Sequence, residues 1–271
     1  MKKTNYHRVY ITDYIKNPNI EKKILGNNLS NEKNKYNSEI LLVWHKSCDQ
    51  SYLKKLKNLK LIVRYGIGVD NIDLEYCKKN KIKVANTPDY GVDEVSDTAL
   101  AMILYFARSI GFYDNQIKKK FGNWQLDVNK NITRSNETNV GIIGYGSIGR
   151  RLSVKLYHLG FNCFYYDPYI KKISKYSKKI SNLKVFLKKC HLVSIHCTLN
   201  ETTKNLVNSR FLNLMKKNGT LINTARGKIF SNLDIVLKHL KKNNSFSFGL
   251  DVLPKEPPLE SDRLIKLWKK N

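Results

Sequence analysis

The chain has 271 residues, 41% of them hydrophobic, with 49 basic against 22 acidic side chains and a formal net charge of +27. That suits one large domain or two modest ones, and the absence of any run of about 18 apolar residues argues against a membrane span. The start, Met1-Lys2-Lys3-Thr4-Asn5, lacks the apolar stretch of a signal peptide. Five scattered cysteines (Cys48, Cys77, Cys163, Cys190, Cys197) with no C-x-x-C pair suit a reducing cytoplasm. Lysine outnumbers arginine and is mixed with Asn and Ile along the whole chain. Nucleic-acid readers concentrate arginine at their contacts instead. No specific nucleic-acid partner is therefore expected, only non-specific attraction of anions at low salt.

In chain order, apolar runs at Val9–Ile11, Ile40–Trp44, Leu61–Val63 and Ile82–Ala85 predict strands. Tyr52–Leu59 and Leu74–Lys79 between them predict short helices, and the polar stretch Asn27–Asn37 predicts a loop. Strands alternating with helices imply a parallel sheet. Val92–Arg108 predicts one long helix, apolar almost all round, and hence buried at a domain or subunit interface. Residues 113–138, with Trp124, predict an irregular excursion. The βα pattern then resumes. Strands are predicted at Val140–Ile143, Cys163–Tyr166, Leu192–His196, Thr220–Asn223 and Phe246–Asp251. Helices are predicted at Ser147–Leu159, Leu183–Lys189, Ser209–Met215 and Asn232–Leu240.

The most informative stretch is Asn139–Arg150. Val140 to Ile143 runs into Gly144-x-Gly146-x-x-Gly149, and a helical pattern follows. Gly144 permits a tight turn, Gly146 lets a pyrophosphate approach the backbone, and Gly149 lets the helix pack close to the strand. The helix start at Ser147 and Ile148 offers N–H groups to the phosphates. A second apolar run ends in Asp167, about 20 residues past the glycines, where an acid accepts from ribose hydroxyls and repels a 2′-phosphate. This favours NAD over NADP. The competing reading has Asp167 merely capping a turn before Pro168. Ligands in such sheets sit outside the carboxyl ends of the strands, here Gly144, Asp167, His196, the run Asn223-Thr224-Ala225-Arg226-Gly227, and Asp251.

Arg64-Tyr65-Gly66-Ile67-Gly68-Val69-Asp70, Pro88-Asp89-Tyr90-Gly91, Val193-Ser194-Ile195-His196-Cys197, the Arg226 run and Asp251-Val252-Leu253-Pro254-Lys255-Glu256-Pro257-Pro258 converge with the glycine pattern. From about Leu41 onward the chain resembles the D-isomer-specific 2-hydroxyacid dehydrogenase family, in its branch of phosphoglycerate dehydrogenase-like and C-terminal-binding-protein-like members. The resemblance implies an α/β protein of two Rossmann-like or flavodoxin-like parallel-sheet domains. A smaller substrate domain (residues 1–95) carries an inserted NAD domain (96–271), with the long helix 92–108 at the interface and the cleft lined by Ile67, Gly68, Arg226 and Glu256. It implies an NAD-dependent oxidoreductase moving a hydride between nicotinamide and C2 of a small D-2-hydroxy or 2-oxo acid. Arg226 would hold the substrate carboxylate and carbonyl, and Glu256 would pair with a catalytic histidine. The Ile67 and Gly68 amides would grip the carboxylate, and Asp251 would bind the nicotinamide amide. Thr198, Thr224 and Ala225 would lie on the cofactor side. Asp70 and Asp73 shape the turn after Gly68. Cys190, His191, His196 and Cys197 flank one strand whose side chains alternate faces, so no metal site is expected.

The family's Thr-Pro-His-like segment has no counterpart, since no histidine follows His239. The last strand and return helix are expected to be missing as well. Either an incomplete copy of an active enzyme or a short form that senses NAD without turnover would give this pattern. His45 is a weak substitute, read more simply as a loop histidine. The resemblance also implies a homodimer, with its two-fold interface expected near Ala99, Met102, Ile103 and Phe106.

Overall fold

The computed structural model describes residues 7–13, 15, 17–119, 132–171 and 174–269. The chain divides into two compact units, Met1–Tyr90 and Gly91–Asn271. The division precedes the long helix, which therefore belongs wholly to the second unit.

In the first unit, strands β1 (Val9–Ile11), β2 (Ile40–Val43), β3 (Leu61–Arg64) and β4 (Lys83–Asn86) pair in parallel in that order. Helices α1 (Asn19–Leu25), α2 (Gln50–Leu53) and α3 (Leu74–Lys79) connect them. The core is Leu41, Val43 and Ile62 from the sheet with Leu53, Leu56, Leu59 and Cys77 above it. The helix predicted over Tyr52–Leu59 is a single turn, Gln50–Leu53, capped by Asp49 Oδ1, which accepts from Tyr52 N at 2.9 Å. Leu56 and Leu59 still point inward from the turns that follow, so their spacing read as helix although the backbone is not. The predicted loop Asn27–Asn37 holds two 3-10 turns, Gly26–Asn28 and Glu32–Asn37.

The second unit opens with α4 (Val92–Ala107) and α5 (Ile110–Lys119). The latter replaces part of the predicted excursion 113–138; residues 120–131, with Trp124, lie outside the described residues. Then come β5 (Asn139–Ile143), α6 (Ser147–His158), β6 (Asn162–Tyr166), β7 (Lys178–Lys179), α7 (Leu183–Lys189) and β8 (Leu192–Ile195). The series ends with α8 (Ser209–Leu214), β9 (Thr220–Asn223), α9 (Asp234–Lys242), β10 (Ser247–Leu250) and α10 (Arg263–Trp268). The six strands are parallel, in the order β10-β9-β8-β5-β6-β7.

Alternation along each strand feeds two cores. Val140 and Ile142 face α4 and α6 through Ala99, Ile103, Leu152 and Leu156. Ile143, Val193 and Ile195 face α7, α8 and α9 through Phe186, Phe211 and Val236. Burial on both faces is why the strands read as continuous apolar runs. Gly141 lets α7 close on the sheet: a Cβ there would lie 2.6 Å from the Phe186 ring and from Cys190 Sγ.

This packing corrects the expected dimer centre. Ala99 and Ile103 are wholly buried against their own unit, and Met102 and Phe106 pack over Gly249 of β10. The apolar faces of α4 that read as intersubunit surface are mostly spent on its own sheet and on α6.

Candidate functional site

Strand register builds the site. Ile143 of β5 is level with Tyr166 of β6 and Ile195 of β8, Ile195 with Asn223 of β9, and Asn223 with Leu250 of β10. The next residue on each strand is therefore one row across the carboxyl edge: Asp167, Gly144, His196, Thr224 and Asp251. The chain leaves β5 toward β6 on one side and later returns to β8 on the other. The strand order thus reverses at β5, where open sheets of this kind bind ligands.

Gly144 sits at φ +89, and a Cβ there would lie 2.5–2.6 Å from the Cys197 backbone. Only glycine allows that conformation and that closeness together. Gly149 is the contact of α6 with the loop, its missing Cβ pointing at Gly144 O. Gly146 is the opposite case, with nothing within 4 Å of a would-be Cβ. It caps α6 with no side-chain bond, and the first turn carries no acid. This open, uncapped, positive end of a 12-residue helix, starting at Ser147 and Ile148, fits a pyrophosphate.

Asp167 does more than the sequence reading assigned. Its Oδ2 accepts from Tyr145 N at 2.8 Å, and its Oδ1 accepts from Tyr169 N at 2.9 Å and Ile170 N at 3.2 Å. The turn-capping alternative is thus part of its role. Three of roughly four acceptor sites on a carboxylate are taken, which leaves capacity for a ribose hydroxyl and none to spare. Tyr145 is anchored beneath the loop. Its ring stacks on Tyr165 at 3.9 Å, and its hydroxyl lies 2.7 Å from Ser153 Oγ and 2.7 Å from Ser174 Oγ.

His196 lies between Gly144 and Thr224 in the row. Its Nε2 is 2.8 Å from Ser194 Oγ and its Nδ1 is 3.3 Å from Thr224 Oγ1. Burial pushes its pKa down to about 4, so the ring is neutral and bridges β8 to β9. Burial likewise pushes the Cys197 thiol up to about 11, leaving it protonated. His191 Nδ1 accepts from Asn139 N at 2.9 Å, at the other end of the same strand.

The Arg226 loop is held by Asn223, which is fully buried. Its Oδ1 accepts from Ala225 N at 3.0 Å, and its Nδ2 donates to Arg226 O at 3.0 Å. The Arg226 guanidinium donates to Ala225 O at 2.8 Å. Gly227 packs directly on the Leu253–Pro254 backbone, bringing the loop after β9 against the loop after β10. There Glu256 Oε1 accepts from Leu253 N at 2.7 Å, and Asp251 N donates to Asn223 O at 3.0 Å. Asp251 and Glu256 are exposed. Thr198 is also exposed, and its carbonyl accepts from Thr203 Oγ1 at 2.6 Å.

In the first unit, Gly66 takes φ +152 after β3, and Thr87 N donates to Gly66 O at 3.2 Å. Asn86 Nδ2 donates to Ile67 O at 2.9 Å, fixing the turn. Among the described residues the Ile67 and Gly68 N–H groups have no acceptor. The Arg64 guanidinium bonds Asn71 Oδ1 at 3.2 Å and Tyr65 O. Asp13 accepts from Trp44 N and His45 N, so the His45 backbone serves a local turn while its ring lies tilted against Trp44 with centroids 4.2 Å apart.

The register row and the glycine loop were legible in the sequence. His196 and Asn223 were placed at that edge without a role, and Tyr145 was given none. The usable signal for His196 was the spacing Ser194-x-His196, which puts both on one face of a strand.

Residues 100–270 match the family model described as D-isomer specific 2-hydroxyacid dehydrogenase, NAD binding domain. The chain is 31% identical over 207 residues to a hydroxypyruvate reductase of Thermotoga maritima, covering 76% of this chain and 66% of that one. It is 31% identical over 215 residues to a D-3-phosphoglycerate dehydrogenase of Methanocaldococcus jannaschii, covering 78% and 40%. The chain thus spans between two fifths and two thirds of those relatives' lengths. Among solved structures, D-lactate dehydrogenase from Aquifex aeolicus, complexed with NAD and lactic acid, superposes with a TM-score of 0.81 at 27% identity. That match covers 97% of this chain and 81% of the other.

Proposed function

Because the chain belongs to the D-isomer specific 2-hydroxyacid dehydrogenase family, we propose that it is an NAD-dependent oxidoreductase acting on C2 of a small D-2-hydroxy or 2-oxo acid. The observation that carries this reading is the row across the carboxyl edge of the six-stranded sheet, with an open helix start at Gly146 in its middle.

In this proposal, amides at Gly146, Ser147 and Ile148 bind the pyrophosphate, and the remaining acceptor capacity of Asp167 takes a ribose hydroxyl. Its negative charge disfavours a 2′-phosphate. Asp251, Ala225, Thr224 and Thr198 line the nicotinamide side. The bound nicotinamide supplies or takes the hydride. Arg226 presents a planar fork to the acid's carboxylate and carbonyl, polarising C2, a task for which lysine's point charge is a poor substitute. The Ile67 and Gly68 amides are donors suited to a carboxylate. Glu256 would raise the basicity of an imidazole partner.

A second reading, NAD binding without turnover, is favoured by His196, the one histidine in the row, whose ring is committed to Ser194 and Thr224. Absorbance assays of NADH oxidation with glyoxylate, hydroxypyruvate and pyruvate separate the two. Turnover that falls about 10²–10³-fold in Arg226→Gln supports the enzyme. NADH binding with no turnover on any acid supports the second reading.

We place the protein in the cytoplasm, a setting that suits five free thiols. We also propose a homodimer, built on the exposed Tyr105, Ile110 and Phe112 of α4 and α5 rather than on Ala99 and Ile103. Light scattering at 0.15 M salt should give twice 31.5 kDa; a monomer at micromolar concentration rejects it.

A further inference from the structure

The net charge is unevenly placed. Residues 168–200 contain eight lysines and no Asp or Glu, so 33 residues carry +8 of the chain's +27. Within it, β7 is the outer strand of the six-stranded sheet, α7 packs beside it on β6, and Leu192–Ile195 is the central strand β8. Lys178 and Lys179 are the outer strand β7 itself, and both are exposed. Lys184 and Lys188 lie one turn apart on the outer side of α7, whose inner side buries Phe186 and Leu187. Lys189 sits 4.9 Å over the Phe164 ring. Among the described residues, none of these five lysines, nor Lys175, forms an ion pair. Two basic residues of α6 differ: Arg151 is paired with Asp93 and Lys155 with Asp97.

Lysines on an edge strand deter pairing with another strand. That role explains Lys178 and Lys179 but asks nothing of α7 or of Lys175. Aromatic rings flank the same sheet edge on its other face, that of α6. Lys175 Nζ stands 4.9 Å over the Tyr176 ring, and Tyr157, 51% exposed, meets Tyr176 edge-on at 5.5 Å beside His158. Cations that track a backbone, with rings that accept bases, are the chemistry of single-strand binding. A bilayer would need a large apolar stripe beside the lysines, and the outer side of α7 offers Val185 alone.

We propose that the β7–α7 edge of the second unit is a sequence-tolerant docking surface for single-stranded nucleic acid. Binding there is electrostatic and salt-sensitive, with no base code, in keeping with lysine in place of arginine.

The test uses fluorescence anisotropy of labelled oligo-U and oligo-dT across a salt series. One variant combines Lys178→Glu, Lys179→Glu, Lys184→Glu and Lys188→Glu. A control combines Lys54→Glu, Lys55→Glu, Lys57→Glu and Lys78→Glu in the first unit, changing net charge equally. At 0.1 M salt the edge variant should bind about ten-fold or more weaker, with the log–log salt slope reduced by about 3, while the control stays within about three-fold. Tyr157→Ala should cost about five-fold with the slope unchanged. NADH binding checks folding, and Lys184→Gln with Lys188→Gln, confined to the outer side of α7, gives a milder variant that should still weaken binding. Equal losses in the edge and control variants would overturn the proposal in favour of bulk charge. Anionic vesicles binding more tightly than oligo-U, with Tyr157→Ala silent, would overturn it in favour of a membrane.

Discussion

Gly144 and Gly66 each turn the chain just after a parallel strand, one in each unit, and both have positive φ. Their surroundings differ. A side chain at Gly144 would strike the Cys197 backbone, just past the end of β8. A side chain at Gly66 would meet the guanidinium of Arg64 at 2.7 Å, the far end of a flexible side chain. The first loop runs into a 12-residue helix whose start is open. The second runs into a turn, with α3 beginning only at Leu74. A loop closed by backbone is a rigid cradle, whereas a loop closed by a side chain can adjust. The rigid one is what a dinucleotide requires, because its phosphates are read by amides that must not move.

The largest effect that sharpens this contrast is Gly144→Ala. Positive φ and overpacking against backbone together should cost about 2–5 kcal/mol, seen as a lowered urea midpoint with NADH binding abolished. Gly66→Ala should cost only about 1–2 kcal/mol, because Arg64 can give way while the φ strain remains. Equal losses at the two positions would break the comparison.

A pH effect comes next. His196 has a folded pKa of about 4 against an ordinary value of 6.5, so between these limits the unfolded chain binds a proton that the folded chain does not. Stability is therefore full above pH 6.5 and falls as pH drops toward 4, by up to about 3 kcal/mol. Burial lowers the pKa of His191 and His239 too, adding the same sign. Urea midpoints at pH 7.5 and pH 5 measure the fall, and His196→Asn should flatten most of it. A pH-independent wild type would contradict the neutral bridge between Ser194 and Thr224.

Tyr145→Phe should be the smallest change, about 1 kcal/mol for the lost hydroxyl contacts to Ser153 and Ser174. It tests whether the cradle is stiffened from beneath. NADH affinity should weaken a few-fold while the NADH-to-NADPH preference, which belongs to Asp167, is kept.

The parts legible in the sequence were those where one physical cause dominates. β5, the glycine turn and α6 were read because burial on two faces and backbone closeness leave few residue choices. Leu74–Lys79 was read correctly, while Asp73, read only as shaping the turn after Gly68, also caps this helix, accepting from Tyr76 N at 2.8 Å. α1 escaped because it buries none of its residues and leaves Ile20 and Ile24 exposed, so its apolar spacing meets no core. β7 escaped because two lysines on a sheet edge have no hydrophobic period at all. At the site, the positions in the row were legible and the bonds between them were not. That Asp167 serves Tyr145 N, and that Asn223 holds the loop carrying Arg226, depends on strands brought together from distant parts of the chain.

The most direct measurement is a fluorescence titration of the wild-type chain and of Gly144→Ala with NADH and NADPH. The wild type should give a saturable NADH signal, bind NADPH about ten-fold or more weakly because of the charge on Asp167, and lose both signals in Gly144→Ala. A folded wild type with no saturable NADH signal, or one that binds NADPH as tightly as NADH, would contradict the account.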